Sequence, residues 1–293
     1  MSHDQINNDT NITLHSGLGD VADDYEYFIL DIWGVLHNGI RPFPGTVACL
    51  QNLKKDGKRI LLLSNTPDRG ELMSRRLAAM GIGTRLYDHI VTAGDSARYD
   101  LTERQGQRCW YAGSDGEGLL TAGLDIEHAD HPDHADFIVN VLFGLGPAEK
   151  KTAFALLERA QEKSLPMLCA NPDLIVNVGP EIKECPGTYA LYYEEIGGTV
   201  IYHGKPHAPV YRRAWELLGR PDKNRMVAVG DSLHTDIQGA NNFGIDSIMN
   251  LSGIHREEIL HDQNPDDIDS QKLKTMIDGQ PHKPNMFLNG FRW

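Results

Sequence analysis

No run of about 18 consecutive apolar residues occurs in the 293-residue chain, so the sequence offers no candidate for a membrane-crossing helix. Cysteine is scarce: Cys49, Cys109, Cys169 and Cys185 form no C-x-x-C pair, which excludes a disulfide framework and reads as four reduced thiols. Positive charge is short as well, with Lys+Arg 28 against Asp+Glu 41 and a net charge of -13. With no basic patch to offset that field, nucleic acid and acidic membrane surfaces are excluded as expected partners. The polar first segment, residues 1–20, has neither a cationic n-region nor an apolar h-region, and a cytoplasmic location is the expectation. No repeat of fixed period and no low-complexity tract is found. The glycine-rich Gly113-Ser114-Asp115-Gly116-Glu117-Gly118 lacks both a Walker lysine and dinucleotide-binding spacing, and reads as a turn.

What is present is ordinary globular composition, 40% apolar and 24% charged, in a chain long enough for one large or two moderate domains. Tyr25 to Leu30 is an apolar run that stops at Asp31, and Ile60 to Leu63 is another that stops at Ser64-Asn65. Between them Pro44-Gly45-Thr46 opens a helical pattern with Val47, Leu50 and Leu53, ended by Gly57, so the segment predicts a βαβ unit. Glu71 to Met80 predicts a further helix with Gly81 as its stop. The same order returns later: Thr199 to Tyr202 before His203-Gly204-Lys205-Pro206, a helical face of Val210, Ala214, Leu217 and Leu218, then Met226 to Val229 before Gly230-Asp231-Ser232. A helix over Leu233 to Phe243 and a strand over Asp246 to Leu251 follow. Separate strand and helix signals at Arg108 to Ala112, Phe137 to Leu142, Ala148 to Lys163 and Met167 to Ala170 suffice for a small inserted α/β domain. The predicted organisation is a polar leader (1–20), a doubly wound parallel α/β core in two parts (21–91 and 179–293), and an inserted cap (92–178).

Asp31, Ser64-Asn65 and Gly230-Asp231 each stand directly after a strand-like run, and in an open parallel sheet such ends share one crevice. Two carboxylates there suit a hard divalent ion such as Mg²⁺, which also binds phosphate oxygens. Ser64, Asn65 and Lys205 add donors for the remaining oxygens.

DIWGVLHNG (31–39), LLLSNTP (61–67), HGKP (203–206) and GDSLHTD (230–236) resemble, in this order, the four motifs of the haloacid dehalogenase superfamily. The insertion between the second and third is similar to the class IIA cap of NagD-type sugar phosphatases and of 4-nitrophenyl or pyridoxal phosphatases, and the likeness covers roughly residues 25 to 255. The resemblance implies a Rossmann-like core and a Mg²⁺-dependent phosphatase acting on a small phosphorylated molecule. Asp31 would be the nucleophile that becomes an aspartyl-phosphate, Ser64 and Asn65 would bind the phosphoryl group, and Lys205 would neutralise it. Asp31, Asp231 and the backbone carbonyl of Trp33 would hold Mg²⁺, with Asp236 supporting them by hydrogen bonding. Asn171-Pro172-Asp173 resembles a substrate-side element, and the cap is expected to select the substrate. A second copy of the chain, as a homo-oligomer, is compatible with the sequence.

Trp33 departs from the pattern, because the family's phosphatases usually carry there an aspartate that protonates the leaving alkoxide. An indole gives no such proton, so weakened or redirected chemistry is expected, and a phosphate-binding sensor without turnover is the alternative reading. His37, six residues after Asp31, titrates near neutrality and reads as a flap histidine or a substitute acid. His128, His131 and His134 read as a solvated cap loop, since Pro132 breaks the helix that would align them. The aromatic end, Phe287-Leu288, Phe291 and Trp293, reads either as a partner-binding tail or as a segment docked on the domain.

Overall fold

The structure, a computed structural model, describes residues 13–113, 120–178, 181–261 and 264–293. A short strand β1 (Leu14–His15) precedes β2 (Tyr27–Asp31), α1 (Thr46–Lys55), β3 (Arg59–Ser64), α2 (Gly70–Ala79), β4 (His89–Thr92) and α3 (Ala93–Leu101). The middle of the chain forms β5 (Arg108–Gly113), β6 (Glu127–Ala129), β7 (Phe137–Val141), α4 (Pro147–Glu162), β8 (Met167–Cys169), β9 (Ile175–Val178), β10 (Glu181–Glu184), α5 (Pro186–Glu195) and β11 (Val200–Tyr202). The last part gives α6 (Ala208–Leu217), β12 (Met226–Gly230), α7 (Gln238–Phe243), β13 (Asp246–Asn250), α8 (Arg256–Ile259), β14 (Leu260–His261), β15 (Asn264–Ile268), α9 (Ser270–Asp278) and β16 (Met286–Leu288).

The larger sheet has the order β1-β16-β13-β12-β2-β3-β4, every pairing parallel. Both of its faces are covered, which is why its strands read as nearly continuous apolar runs. The two-residue period sorts each run: Phe28 and Leu30 pack with Leu50, Leu53, Ile60 and Leu62 on one face. Ile29, Leu61 and Leu63 pack with Val91, Val210 and Tyr211 on the other. Each of these fully buried leucines contributes about 2 kcal/mol by leaving water. Helix α1 closes with Lys54 and Lys55 against its negative end, as helix dipoles favour. Strand order reverses between β2 and β12, so the crevice of an open parallel sheet falls at Asp31 and Gly230.

The second sheet, β11-β8-β7-β5-β6, is also wholly parallel. Helices α4 and α5 cover one face through Leu157, Tyr189 and Tyr193. On the opposite face Ala97 and Leu101 of α3 pack against Phe137, Val139 and Leu168. Helix α3 starts in a capping box: Asp95 N donates to Thr92 Oγ1 (3.0 Å) and Thr92 N to the Asp95 carboxylate (3.4 Å).

One expected position changes. Thr199 to Tyr202, predicted to open the second core unit, supplies β11, which pairs with β8 in the smaller sheet. Helix α5 packs there too, so this sheet's elements run past Val178 to Tyr202. A three-residue apolar strand carries no mark of which sheet it joins, because burial on either would need the same side chains. The helix predicted over Leu233 to Phe243 divides into a π-helical turn, Leu233–Ile237, and α7. Phe287 and Leu288 form part of β16 and Phe291 is buried, so the aromatic end docks on the core. His128 lies in β6 and hydrogen-bonds Thr121 Oγ1 (2.7 Å); His131 and His134 sit beside it at the surface. Gly113 ends β5 with a φ of +109°, whereas Ser114 to Gly118 of the expected turn lie outside the described residues. No helix among the described residues is long and apolar enough to cross a membrane.

Candidate active site

Register delivers the acids. Leu30 pairs with Val229 and Asp31 with Leu63, so Asp31, Ser64 and Gly230-Asp231 emerge at one level of the sheet. Asp31, Asp231 and Asp236 are all buried, and each has a ligating oxygen within 4.8 Å of the others. Lys205, buried as well, donates from Nζ to Asp31 Oδ1 and to Asp236 Oδ1, the latter at 2.7 Å. Asp236, expected to act behind the other acids, therefore stands among them. The π-helical turn brings it there, and only glycine fits at 230, where a Cβ would lie 2.1 Å from the Asp236 Cβ.

Asp231 is gripped by backbone. A Cβ on Gly34 or Gly253 would come within 1.9 and 2.0 Å of its Oδ2, and Ile254 N donates to that oxygen at 2.8 Å. Asn250 Nδ2 holds the Gly34 carbonyl at 2.9 Å. Nothing in the spacing of the sequence marks Gly253 as a neighbour of Asp231, or Asn250 as the partner of the Gly34 carbonyl, and neither is singled out from the sequence. Gly34 lies inside the quoted DIWGVLHNG, and its φ of +82° explains the residue.

Asn65 is used differently from expectation. Its Nδ2 donates to Asp173 Oδ1 (2.8 Å) and to the Lys205 carbonyl (3.0 Å), while its Oδ1 accepts from Lys205 N (2.7 Å). Those bonds occupy the buried amide, so the side chain braces the Lys205 loop and ties it to the Asn171-Pro172-Asp173 segment. Ser64 Oγ accepts from Thr66 N at 3.3 Å, which leaves its proton to give.

Burial pushes the Asp31 carboxyl well above the usual range; Lys205 opposes that shift, and the charges of Asp236 and Asp231 add to it. Burial and the Asp236 charge raise Asp231 to about 7. Burial alone would lower Lys205, but Asp236 and Asp31 outweigh it and hold the ammonium well above its ordinary value. Three buried acids against one cation leave uncompensated negative charge, which a divalent ion with oxygen ligands would offset. The residues present thus fit Mg²⁺.

Trp33 is exposed, with its ring centroid 5.7 Å from that of His37 in an edge contact. His37 is buried, which lowers its pKa, and its Nδ1 accepts from Gly39 N at 2.8 Å.

A carboxylate at a strand end, an ammonium upon it, two further acids and a free hydroxyl, set at the reversal point of a parallel sheet, are the working parts of a phosphohydrolase. Residues 28–127 match the family described as haloacid dehalogenase-like hydrolase, and residues 202–273 one described as HAD-hydrolase-like. A haloacid dehalogenase-like family hydrolase from Brucella suis 1330 is 30% identical, with 94% of this chain and 99% of that one covered at a TM-score of 0.78. The 4-nitrophenylphosphatase of Thermotoga maritima is 25% identical (92% and 96% covered, TM-score 0.69). An acid sugar phosphatase of Staphylococcus aureus is 24% identical over 246 residues, 82% of this chain and 92% of that protein. The chain belongs to the haloacid dehalogenase-like hydrolase family.

Proposed function

We propose that the protein is a Mg²⁺-dependent phosphatase that hydrolyses a small organic phosphate through an aspartyl-phosphate on Asp31. The observation that carries the reading is the buried Asp31 carboxylate, held by Lys205 at the crevice with Asp231 and Asp236 beside it. A carboxylate oxygen of Asp31 attacks phosphorus, the ester P–O bond breaks, and the alkoxide or phenoxide takes its proton from solvent. Water then cleaves the acyl phosphate, releasing inorganic phosphate and restoring Asp31. Lys205 balances the phosphoryl charge and the Ser64 hydroxyl donates to a phosphoryl oxygen, while Asn65 and Asp173 fix the lysine loop. Asp31, Asp231 and the Trp33 carbonyl, with Asp236 beside them, would hold Mg²⁺, which would supply positive charge to offset that of the phosphoryl group.

Phosphate release from a panel of small phosphoesters, with and without Mg²⁺ and with Asp31→Asn as control, tests this. Turnover that needs Mg²⁺ and disappears in the variant is expected; turnover that survives the substitution refutes the covalent step. Trp33 favours a second reading, a phosphate-binding sensor, since binding needs no proton donor. Calorimetry that finds saturable ester binding with no turnover supports it. The four buried free thiols support a reducing, cytoplasmic setting.

A further inference from the structure

A buried imidazole costs free energy unless its nitrogens find partners. His203 is 5% exposed, and both of its ring nitrogens face α3. Nδ1 lies 3.1 Å from Ser96 Oγ, and Nε2 lies 3.3 Å from Asp100 Oδ2. Ser96 and Asp100 stand four residues apart on one face of the helix, so a single side chain reaches both. The second contact is an ion-pair distance without the alignment of a hydrogen bond. Its approach to His203 is the foremost cause that holds the Asp100 carboxyl below its ordinary value, against burial, with the charge of Arg104 helping.

His203 is joined to Lys205 through a single residue that has no room to give. Gly204 has a φ of +124°, and a Cβ there would lie 2.6 Å from Pro172 Cδ and 2.8 Å from Asn65 Oδ1. On either side of it the backbone is tied, His203 N donating to the Cys169 carbonyl (2.9 Å) and Lys205 N to Asn65 Oδ1 (2.7 Å). A shift of the imidazole therefore passes along the chain to the lysine, because close-packed neighbours leave no slack to absorb it. Helix α3 meanwhile supports the smaller sheet through Ala97 and Leu101, which pack against Phe137, Val139 and Leu168. Asp100 also faces Arg104 at 3.5 Å, whose guanidinium lies 5.1 Å from the centre of the Phe137 ring. One helix thus touches the smaller sheet and the lysine loop together.

We propose that His203 is a positioning residue: held by Ser96 and Asp100, it fixes the Lys205 loop to α3, so that the helix seated on the smaller sheet also sets where the ammonium meets Asp31. The proposal rests on the phosphatase reading only for what the lysine does in turnover.

Kinetics and spectroscopy test it separately, on the full chain with Mg²⁺ and below the melting temperature of each variant. His203→Ala should lower kcat by about tenfold, part of the roughly 10²-fold that a misplacement of about 1 Å costs. Asp100→Ala should lower it to a similar extent, and the double variant should be no slower than the slower single one, because all three break one link. His203→Gln, which keeps a donor toward Asp100, should recover most of the rate. In protein carrying isotope-labelled lysine, the ammonium resonance of Lys205, identified by its loss in Lys205→Arg, should move in His203→Ala and return toward its parental position in His203→Gln. If His203→Ala does not fold, Ser96→Ala, which loses one hydroxyl, should move the same resonance. A purely structural histidine would lower the melting temperature and leave both the resonance and kcat in place; that result overturns the proposal, as do losses in the two single variants that simply multiply. If the resonance moves while no phosphoester is turned over by the parent, the placement of Lys205 by His203 stands and the phosphatase reading falls.

Discussion

Replacing Asn65 by alanine removes one small amide, yet it should damage both stability and rate. Three hydrogen bonds at 2.7, 2.8 and 3.0 Å are lost from a site only 4% exposed. At about 1 kcal/mol net each these come to about 3 kcal/mol, and a Lys205 N–H or carbonyl left buried without a partner adds about 1 kcal/mol or more. A loss of about 4 kcal/mol should lower the melting temperature by about 10 °C in a chain of this size. The Lys205 loop then loses its register, and a misplacement of about 1 Å near reacting atoms costs about 10²-fold in rate. Asn65→Asp should be worse at neutral pH, because it sets a second carboxylate against Asp173 and an acceptor against the Lys205 carbonyl. Thermal melts by circular dichroism, with kcat and KM on one phosphoester, read both effects. A variant that melts with the parent and keeps its kcat refutes the assignment of Asn65 as the brace of Lys205.

Trp33→Asp should raise turnover most on simple alkyl phosphates, by up to about 10²-fold where proton transfer limits the rate, and little on aryl esters; a uniform change across ester types contradicts it. Mg²⁺ at about a hundred times its Kd should stabilise the protein by about 2.7 kcal/mol, seen as a shifted melt that EDTA reverses; Asp231→Asn should abolish the shift. Burial pushes Asp88 up, but hydrogen bonds from Lys54 and the Ile60 N–H, with the charges of Lys54 and Arg59, outweigh it and hold the carboxyl below its ordinary value. A depressed folded-state pKa contributes stability above the unfolded aspartate value, about 3.9, that is lost as pH falls through the folded one. Asp88→Asn should therefore melt lower than the parent at pH 7, and the difference should shrink as pH falls below the unfolded aspartate value and through the lowered folded one, which melts along an acid series check.

The strands of the larger sheet could be read ahead of the structure because burial on both faces forces unbroken apolar runs, and each run stops where the crevice begins. That rule put Asp31, Ser64 and Asp231 at the crevice, and Lys205 was singled out by its place just after a fourth strand-like run and before Pro206. Partnership was harder to read. Val200–Tyr202 carries side chains that fit either sheet, and its pairing with Met167–Cys169 depends on a partner some 30 residues earlier. The contact of Gly253 with Asp231 and the threefold use of Asn65 are products of tertiary approach, to which no local period or spacing corresponds. The π-helical turn that swings Asp236 inward escaped for a related reason: over five residues its pattern is that of an ordinary helix.

The ion pair of Asp31 with Lys205 spans 174 positions of the chain. During synthesis at about 5–20 residues per second, the acid emerges about 9–35 s before its cation. Through that interval β2 and β3 can pair, but the carboxylate at the end of β2 has no ammonium to accompany it into the interior. The smaller sheet is completed at Tyr202, three residues before the lysine arrives. All strands of the second sheet are thus synthesised before the ammonium that pairs with the reactive carboxylate. The acids that join it, at 231 and 236, come later still, so the centre of the molecule is among the last parts to close.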